Sequence, residues 1–297
     1  MIRIGFIGFG EAAFNISKGL KQEGLDGIIA YDKFWDIKPQ SELICRHAEE
    51  SGVTLVSNLQ TLIESTDIIL SAVSANMAVS LAQAAKPFLK TDQIYVDINA
   101  TSPMTKEEVD SIISPVCFFV DCAVMGPVPT YKHKVPVSVS GKGAKIFTER
   151  MASYGMNITC MDSPAGSASA SKMFRSIFMK GFVTLLLEML VAAHKYKVEE
   201  DVLISLEETL TAGPILEVIN GLVARGVIHS ERREHEMSEV IATLDAMNVD
   251  STMSKATKAK LRWCTNLELK EHFKGIPPKD LRDIFIALDK KEALSCD

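Results

Sequence analysis

Short apolar runs alternate with longer amphipathic stretches through the first half of the chain. The apolar runs have the length and composition of buried strands, and the amphipathic stretches have the apolar spacing of helices. The predicted strands are residues 2–7, 28–31, 53–55, 67–73, 93–97, 116–121, 135–139 and 157–160. The predicted helices are residues 11–22, 41–51, 58–64, 75–85, a helix from about Ser102, and 143–154. This alternation predicts a mostly parallel sheet covered by helices on both faces.

The pattern changes after Pro164, and the rest of the chain predicts helices only. Residues 166–196 form one predicted helix of about 30 residues, much longer than the usual length of roughly 11–12. Further helices are predicted at about residues 202–210, 214–225, 229–247, 252–273 and 278–289. We therefore predict two domains, a doubly wound α/β domain at residues 1–162 and an all-helical domain at residues 163–297, joined by the long helix.

The first predicted strand ends at Gly8-Phe-Gly10, and the next helix starts at once. A strand, a glycine turn and a helix together present the free N–H groups of a helix N-terminus to a phosphate. Ala13 is small enough for the third position of the G-x-G-x-x-G/A pattern of Rossmann-type domains. The residues expected to hold the pyrophosphate of a dinucleotide are Gly8, Phe9, Gly10, Glu11 and Ala12.

The second predicted strand, residues 28–31, ends at Asp32. An acidic residue about 20 residues after the glycines accepts hydrogen bonds from ribose hydroxyls in dinucleotide-binding domains. Its charge would repel a 2′-phosphate, which favours NAD over NADP, while the neighbouring Lys33 keeps NADP possible. Ser74 and Asn99 follow two further strands, at the sheet edge where ligands bind, and are predicted as the other cofactor contacts.

Composition narrows the range of partners. Hydrophobic residues make up 47% of the 297 residues and charged residues 24%, as in soluble globular proteins. The net charge of −6 gives no electrostatic reason to expect nucleic acid or a membrane surface. No apolar run reaches the ~18 residues that cross a bilayer, and the N-terminus enters a strand without room for a signal peptide. We therefore expect a cytoplasmic protein.

The cysteines form no C-x-x-C pair and no metal-ligand spacing, so no metal site is predicted. Several lie in apolar strands, where they are expected to act as small buried hydrophobic residues in a reducing compartment. They are Cys45, Cys117, Cys122, Cys160, Cys264 and Cys296.

The long helix opens with small residues and then carries a polar stripe. Lys172, Ser176 and Lys180 are spaced i, i+4 and i+8, so they share one side of a helix that is otherwise apolar. A lysine in a partly closed cleft has its pKa lowered by desolvation, and its neutral amine can take the proton of a substrate hydroxyl. Solvated or snorkelling lysines give the same pattern, so spacing alone leaves both interpretations open.

Four segments resemble the beta-hydroxyacid dehydrogenase and 6-phosphogluconate dehydrogenase superfamily, and the resemblance covers essentially the whole chain. The segments are the opening fingerprint at residues 6–10, residues 96–103 near the nicotinamide, the substrate motif at residues 121–126, and residues 166–172. The last segment carries the catalytic lysine in that superfamily, so the resemblance implies that Lys172 is the general base, or the acid in the reverse direction.

The resemblance also implies roles for residues of the two middle segments. Met125 and Gly126 would line the site of the substrate carboxylate. Asn99 and Thr101 would lie near the nicotinamide or the substrate.

Several positions depart from the superfamily pattern. Met125 stands where Ser is usual, Pro127 where a second Gly is usual, and Ser176 where Asn is usual. A hydroxyl replaces one amide hydrogen bond but not both. Decarboxylating 6-phosphogluconate enzymes have a catalytic Glu at the position of Met179, so 6-phosphogluconate is not the expected substrate. The pattern resembles a phosphogluconate-dehydrogenase-like branch with its own C-terminal helical domain.

These features predict an oxidoreductase that uses NAD, with NADP as the alternative, to interconvert a small hydroxy acid and its carbonyl by hydride transfer. The predicted catalytic residues are Lys172 and Ser176, and the predicted substrate contacts are Thr101, Met125, Gly126 and Lys180. Two alternatives stay open: a decarboxylating sugar-acid dehydrogenase and a non-catalytic NAD-sensing protein.

A homodimer or a higher homo-oligomer is expected, because the long helix carries more apolar surface than a small helical domain buries alone. The apolar residues in question are Phe174, Phe178, Phe182, Leu185, Met189 and Leu190. Glu188 lies ~24 Å along the helix from Lys172 at about 1.5 Å per residue, and it is predicted to be an interface or second-domain residue.

Overall fold

The computed structural model describes residues 2–295, so Cys296 lies outside the described residues. Contacts between residues divide the chain into two compact units, Met1–Ile177 and Phe178–Asp297. The first unit includes the opening turns of the long helix, so Lys172 belongs to the same unit as the sheet. The predicted domain limits of 1–162 and 163–297 stay a prediction.

An eight-stranded sheet forms the centre of the first unit, with the strand order β3-β2-β1-β4-β5-β6-β7-β8. The strands are β1 (Ile4–Ile7), β2 (Ile28–Tyr31), β3 (Thr54–Leu55), β4 (Ile68–Ser71), β5 (Ile94–Asp97), β6 (Phe118–Val124), β7 (Val137–Ser140) and β8 (Ile158–Cys160). All neighbouring strands are parallel except β6 and β7. The chain passes from β3 at one edge to β4 beside β1, so the strand order reverses between the neighbours β1 and β4. Ligands bind at this switch point in such folds.

Helices connect these strands much as the sequence pattern predicts. They are α1 (Glu11–Gln22), α2 (Gln40–Ser51), α3 (Leu59–Glu64), α4 (Ala78–Ala85), α5 (Pro103–Ile113), α6 (Val128–Tyr131) and α7 (Ala144–Met151). Short 3-10 turns, Ala75–Met77 and Ala152–Tyr154, begin or extend two of the predicted helices. Side-chain oxygens of Asn58 and Ser102 accept backbone N–H groups and cap α3 and α5.

The sheet is buried on both faces, because successive side chains of each strand point to opposite sides. Phe6 packs with α1, α2 and α7 on one face, whereas Ile7 packs with α3, α4 and α5 on the other. The same alternation separates Leu70 from Ile69 and Val96 from Tyr95. The expected doubly wound α/β architecture of the first unit is thereby confirmed.

The long helix, α8 (Ser167–Tyr196), runs from the first unit into the second. The second unit continues with α9 (Glu199–Leu210), α10 (Ile215–Ile228), α11 (Ser230–Ala246), α12 (Thr252–Asn266), α13 (Leu269–His272) and α14 (Leu281–Ser295). No strand follows residue 160 in the described part of the chain, so the all-helical second half is confirmed. The single helix expected at residues 252–273 is wrong, because Glu268 has a left-handed backbone (φ 50°) that separates α12 from α13.

The apolar surface of α8 requires a correction to the sequence analysis. An 18-residue window of α8 has a mean hydropathy of 1.8, so by length and composition this helix could cross a membrane. This helix contains no uninterrupted apolar run of that length in the sequence, because isolated polar residues interrupt its apolar residues. One such helix is weak evidence for a membrane, because core helices of soluble proteins meet the same criterion. Only 6% of the window is buried within this chain, so its apolar side chains are largely uncovered by the chain itself.

Candidate functional site

A cleft of about 690 Å³ opens at the carboxyl ends of β1, β2 and β4. Among its lining residues are four of the predicted cofactor contacts, namely Gly8, Gly10, Asp32 and Ser74. Its walls also contain apolar side chains that the sequence analysis did not single out: Phe34, Leu59, Met77 and Leu81. The switch point of the sheet therefore carries a concave site of the size that small molecules and cofactors occupy.

Gly8 and Gly10 are glycines for different structural reasons. Gly8 has a left-handed backbone (φ +86°), and a Cβ there would lie 2.4 Å from the carbonyl oxygen of Ala72, so only glycine fits. Gly10 has an extended backbone (φ −81°, ψ −163°) and nothing within 4 Å of a Cβ position. Gly10 thus leaves space at the cleft, directly before the first turn of α1.

The N-terminus of α1 is open to a ligand. Gly10 precedes the helix and supplies no side-chain cap, so the first N–H groups of the helix, at Glu11 and Ala12, keep the anion-attracting character of a helix start. The exposed glycine and the exposed first residue of the helix leave this end accessible. These groups therefore suit the negatively charged pyrophosphate of a dinucleotide.

Phe9 and Asp32 form a fixed corner of the cleft. The Phe9 side chain is fully buried in the core, and its N–H donates to Asp32 Oδ2 at 2.9 Å. The N–H of Phe34 donates to the other carboxylate oxygen, Oδ1, at 2.9 Å. The Phe9 N–H is therefore engaged by Asp32 and is not free for a phosphate, while the Asp32 carboxylate is held at the cleft. The ammonium of Lys33 lies 4.7 Å from the centre of the Phe34 ring.

Asn99 is buried and braces the ends of β4 and β5. Its amide oxygen accepts the Val73 N–H at 2.7 Å, and its amide nitrogen donates to Ser71 Oγ at 2.9 Å. Asn99 thus holds the loop that leads into Ser74, so its support of the cofactor cleft is partly structural. Thr101 Oγ1 is buried and has no hydrogen-bond partner among residues 2–295, which leaves a polar atom for a ligand to satisfy.

A buried charge cluster lies where the end of β5 pairs with the middle of β6, at Asp97 and Asp121. Lys106, on α5, donates to the Asp97 carbonyl oxygen at 2.7 Å, and its Nζ lies 3.1 Å from Asp97 Oδ1 and 3.6 Å from Asp121 Oδ1. The side chains of all three residues are at most 1% exposed. Burial is the main cause that raises the pKa of Asp97, and Lys106 opposes it. Buried charges of this kind persist only when they are paired and hydrogen-bonded.

Asp121 also holds the start of α8. Its Oδ1 accepts the Ser169 hydroxyl at 2.6 Å, and its Oδ2 accepts the Ser169 N–H at 3.0 Å. Ser140 Oγ donates to the same carboxylate at 3.2 Å and accepts the N–H of Ala168 at 3.1 Å. A carboxylate at a helix N-terminus is stabilised by the helix dipole. The first turn of α8 is therefore fixed to β6 and β7.

Lys172 lies one turn beyond this anchor and is partly buried. Desolvation lowers the pKa of Lys172, the positive charge of Lys106 lowers it further, and Cys122 acts in the opposite direction. Burial raises the pKa of Cys122 itself to about 12, so the thiol is neutral. The combination gives Lys172 a larger neutral fraction at moderate pH than a solvated lysine has, which is what a general base requires.

The other two members of the predicted polar stripe are placed differently. Ser176 Oγ donates to the backbone oxygen of Lys172 at 3.1 Å, so its proton is engaged and its lone pairs remain to accept. Lys180 is exposed and belongs to the second unit. The proposed roles of Ser176 and Lys180 stay predictions.

Met125 and Gly126 follow β6. The Met125 N–H donates to the carbonyl oxygen of Pro136 at 2.8 Å, and a Cβ on Gly126 would contact Val135 at 3.4 Å. The backbone of this predicted substrate segment is thus fixed against the start of β7. Its contact with a substrate carboxylate remains a prediction.

Lys132, His133 and Lys134 form a basic cluster after this segment, and two of these side chains contact residues at the end of α1. Lys132 donates to Gln22 at 3.1 Å, and Lys134 pairs with Glu23 at 2.7 Å. Lys134 is the main cause that lowers the pKa of Glu23.

Sequence reasoning missed Lys106, the centre of the charge cluster. A signal was present, because Lys106, Val109 and Ile113 share the buried face of α5. A lysine in the apolar stripe of a helix indicates a paired buried charge.

Comparisons with known proteins agree with this arrangement. Residues 3–101 match a family model described as NADP oxidoreductase, coenzyme F420-dependent, and residues 193–264 match a domain of unknown function, DUF1932. An uncharacterized 28.5 kDa protein from Methanothermus fervidus is 32% identical over 257 residues, which cover 86% of this chain and 96% of that protein.

A solved structure with 33% identity covers 91% of this chain and 99% of its own, with a TM-score of 0.63. It is described as a conserved protein of unknown function with structural similarity to 3-hydroxyacid dehydrogenases. The chain belongs to the beta-hydroxyacid dehydrogenase-like superfamily. This confirms the resemblance inferred from the sequence, including a branch of the superfamily with its own C-terminal helical domain.

Other solved structures extend the likeness. A conserved hypothetical protein from Sinorhizobium meliloti is 30% identical, covers 98% of this chain and 97% of its own, and has a TM-score of 0.65. A variant imine reductase from Myxococcus stipitatus in complex with NAD+ has a TM-score of 0.71 at 16% identity and covers 90% of this chain and 94% of its own. At that identity the imine reductase shows a shared fold alone.

Proposed function

We propose that this protein is an NAD(P)-dependent oxidoreductase that acts on the CH–OH group of a small hydroxy acid, with Lys172 as general base. The observation that carries the proposal is Lys172 itself. Its amine is partly buried, its pKa is lowered by desolvation, and the helix that bears it is anchored through Ser169 to Asp121. Membership of the superfamily and the open helix N-terminus at the glycine turn support the same function.

The cofactor cleft fits a nicotinamide dinucleotide. The first N–H groups of α1 and the space at Gly10 suit the pyrophosphate, and the carboxylate of Asp32 suits a ribose diol. When bound, the nicotinamide supplies the hydride acceptor or donor. The charge of Asp32 opposes a 2′-phosphate, so NAD is the proposed cofactor and NADP the weaker one.

The chain's own residues handle the proton and the substrate. In the oxidation direction the neutral amine of Lys172 takes the proton of the substrate hydroxyl, and in reduction the ammonium returns it. Thr101, Met125 and Gly126 are proposed to bind the substrate, with the unpartnered Thr101 hydroxyl as a polar contact. Ser176 is proposed to accept a hydrogen bond there, because its own proton goes to the helix backbone.

Replacement of the base tests this function. Lys172→Ala should lower turnover about 10²- to 10⁴-fold over a panel of hydroxy acids, while NADH binding followed by fluorescence stays within a few-fold. Lys86→Ala, which changes an exposed lysine after α4, is the matched control and should keep full turnover. In the wild-type protein the oxidation rate should rise with pH through a pKa below the ordinary lysine value, because only the neutral amine accepts a proton. Unchanged turnover of Lys172→Ala with a good substrate would remove this residue from the mechanism.

Two other functions give different results in the same assays. A decarboxylating sugar-acid dehydrogenase would release carbon dioxide in step with NADH from 6-phosphogluconate. The altered residues Met125, Ser176 and Met179 count against it. A non-catalytic NAD sensor would bind the cofactor without turnover on any alcohol, and the desolvated amine of Lys172 counts against that function.

We also propose that a second copy of the chain covers the apolar residues of α8, giving a cytoplasmic homodimer or higher homo-oligomer. Large side chains on this helix are widely exposed, among them Phe174 at 62%, Ile177 at 71% and Phe178 at 60%. Surfaces of this kind usually mark an interface with another protein or a membrane. Sedimentation as a monomer at micromolar concentration would contradict the proposal.

A further inference from the structure

Lys106 is a fully enclosed lysine in the sheet unit. Its side chain is 0% exposed, and its partners Asp97 and Asp121 are 1% and 0% exposed. Asp97 Oδ2 is buried without a hydrogen-bond partner among the described residues. A buried ion cluster is rarely the most stable way to fill such a space, since apolar residues of similar volume are often equal or better. Its presence therefore calls for a role besides stability.

The cluster is connected to the helical turn of Lys172, the candidate base, through the contact of Asp121 with Ser169. Asp121 Oδ1 lies 3.6 Å from Lys106 Nζ and accepts the Ser169 hydroxyl at 2.6 Å. Ser169 lies three residues before Lys172 on α8, which is about one helical turn. The contacts thus run from α5 through β6 to the turn that carries Lys172.

Charged and titratable groups on several elements lie at the buried cluster and at the start of α8. Lys106 and Glu107 lie on α5, and Glu107 reaches the loop before α8, where its Oε1 is 3.1 Å from a Cβ position on Gly166. Asp97 ends β5, Asp121 and Cys122 lie on β6, and Arg175 is exposed on α8 itself. Of these groups, Lys106 lowers the pKa of Lys172 and Cys122 raises it.

We propose that the buried cluster of Asp97, Lys106 and Asp121 is a positioning device that sets both the location and the protonation of Lys172. Asp121 fixes the first turn of α8, and Lys106 acts on Lys172 as a like charge. The carboxylates of Asp97 and Asp121 hold the ammonium of Lys106 in place and reduce the effect of its positive charge on Lys172. The proposal rests on the proposed function only in calling Lys172 the base. The effect of Lys106 on the pKa of Lys172 does not depend on a bound substrate.

The signs of the effects follow from the charges. A positive neighbour disfavours a second ammonium, so loss of Lys106 should raise the pKa of Lys172. Loss of the negative charge of Asp97 leaves the field of Lys106 less balanced and should lower that pKa. A merely structural cluster would loosen the fold in both variants without moving the pKa in opposite directions.

The test is a titration of Lys172 by nuclear magnetic resonance, with no cofactor or substrate present. The full-length protein carries ¹³C-labelled lysine, and the Lys172 signal is assigned by its loss in Lys172→Arg. Lys106→Met should raise the Lys172 pKa, because a positive neighbour is removed. Asp97→Asn, which has the same shape, should lower it. Lys86→Met changes an exposed lysine and should leave it unchanged.

The proposal requires shifts in opposite directions from Lys106→Met and Asp97→Asn. Any other pattern in folded variants, as judged by circular dichroism, overturns it. If Lys106→Met does not fold, Asp97→Asn decides: a lowered pKa supports the proposal, and an unchanged or raised pKa overturns it. Failure here is separate from failure of the proposed function, because turnover of Lys172→Ala tests the base and this titration tests what sets its charge.

Discussion

Gly10→Ala separates a role in cofactor binding from a role in the fold. Gly10 has an extended backbone that alanine adopts readily, and nothing lies within 4 Å of the new Cβ. The added methyl group therefore meets no protein atom. It projects into the space beside the first turn of α1, where we place the pyrophosphate. The substitution should leave the protein folded and weaken its hold on the dinucleotide.

The substitution should raise the stability of the fold and weaken the binding of NADH. An alanine that fits without strain raises the free energy of unfolding by about 0.4–1 kcal/mol, because it restricts the unfolded chain. A methyl group that keeps a phosphate from the helix N–H groups costs about one charge-assisted hydrogen bond, roughly 1.5–3 kcal/mol. At about 1.4 kcal/mol for each factor of ten, the dissociation constant of NADH should rise about 10- to 100-fold.

The assay pairs a fluorescence titration of NADH with denaturant unfolding of the same samples. Gly213→Ala is the matched control, since a Cβ at Gly213 also meets nothing within 4 Å and the residue lies between α9 and α10. The control should bind NADH as the wild type does. If Gly10→Ala also binds NADH with wild-type affinity, the pyrophosphate does not approach this turn, and our assignment of the cleft is wrong.

Two further predictions concern single carboxylates. The wild-type protein should bind NADH more tightly than NADPH. Asp32→Asn should reduce the ratio of the two dissociation constants about tenfold, which corresponds to about 1.4 kcal/mol of removed repulsion. Tighter binding of NADPH by the wild type would refute this role of Asp32. Glu188 accepts the N–H groups of Met253 and Ser254 at 2.7 and 2.8 Å, so Glu188→Gln should lower the free energy of unfolding by about 1–2 kcal/mol through loss of a helix cap. Equal stability of Glu188→Gln and of the exposed control Glu200→Gln, measured by urea unfolding, would contradict that role.

Local sequence signals predict much of the fold. The limits of α1, Glu11 and Gln22, agree with the prediction to the residue, because glycines stand before and after the helix and its apolar spacing is regular. Alternating burial in the strands likewise follows from their apolar runs. The break at Glu268 has no such signal, since a left-handed backbone at a glutamate depends on the packing of α12 and α13 and not on local preference.

The site was predicted less completely than the fold. Gly10, Asp32 and Lys172 carry a spacing or a position that indicates their chemistry. Asn99 carries the same kind of signal, yet its amide is engaged by Ser71 and Val73. Lys106 also carries a signal, its place in the apolar stripe of α5, but that signal does not identify its partners. Its partners are distant in sequence, and only the folded sheet brings them together.

A crystal structure of the protein with NAD+ tests our central claim most directly. We expect density for the pyrophosphate at the first turn of α1, beside Gly10, and for the nicotinamide ring next to the amine of Lys172. Density for the dinucleotide elsewhere, or a nicotinamide remote from Lys172 with its amine in bulk solvent, would contradict the claim.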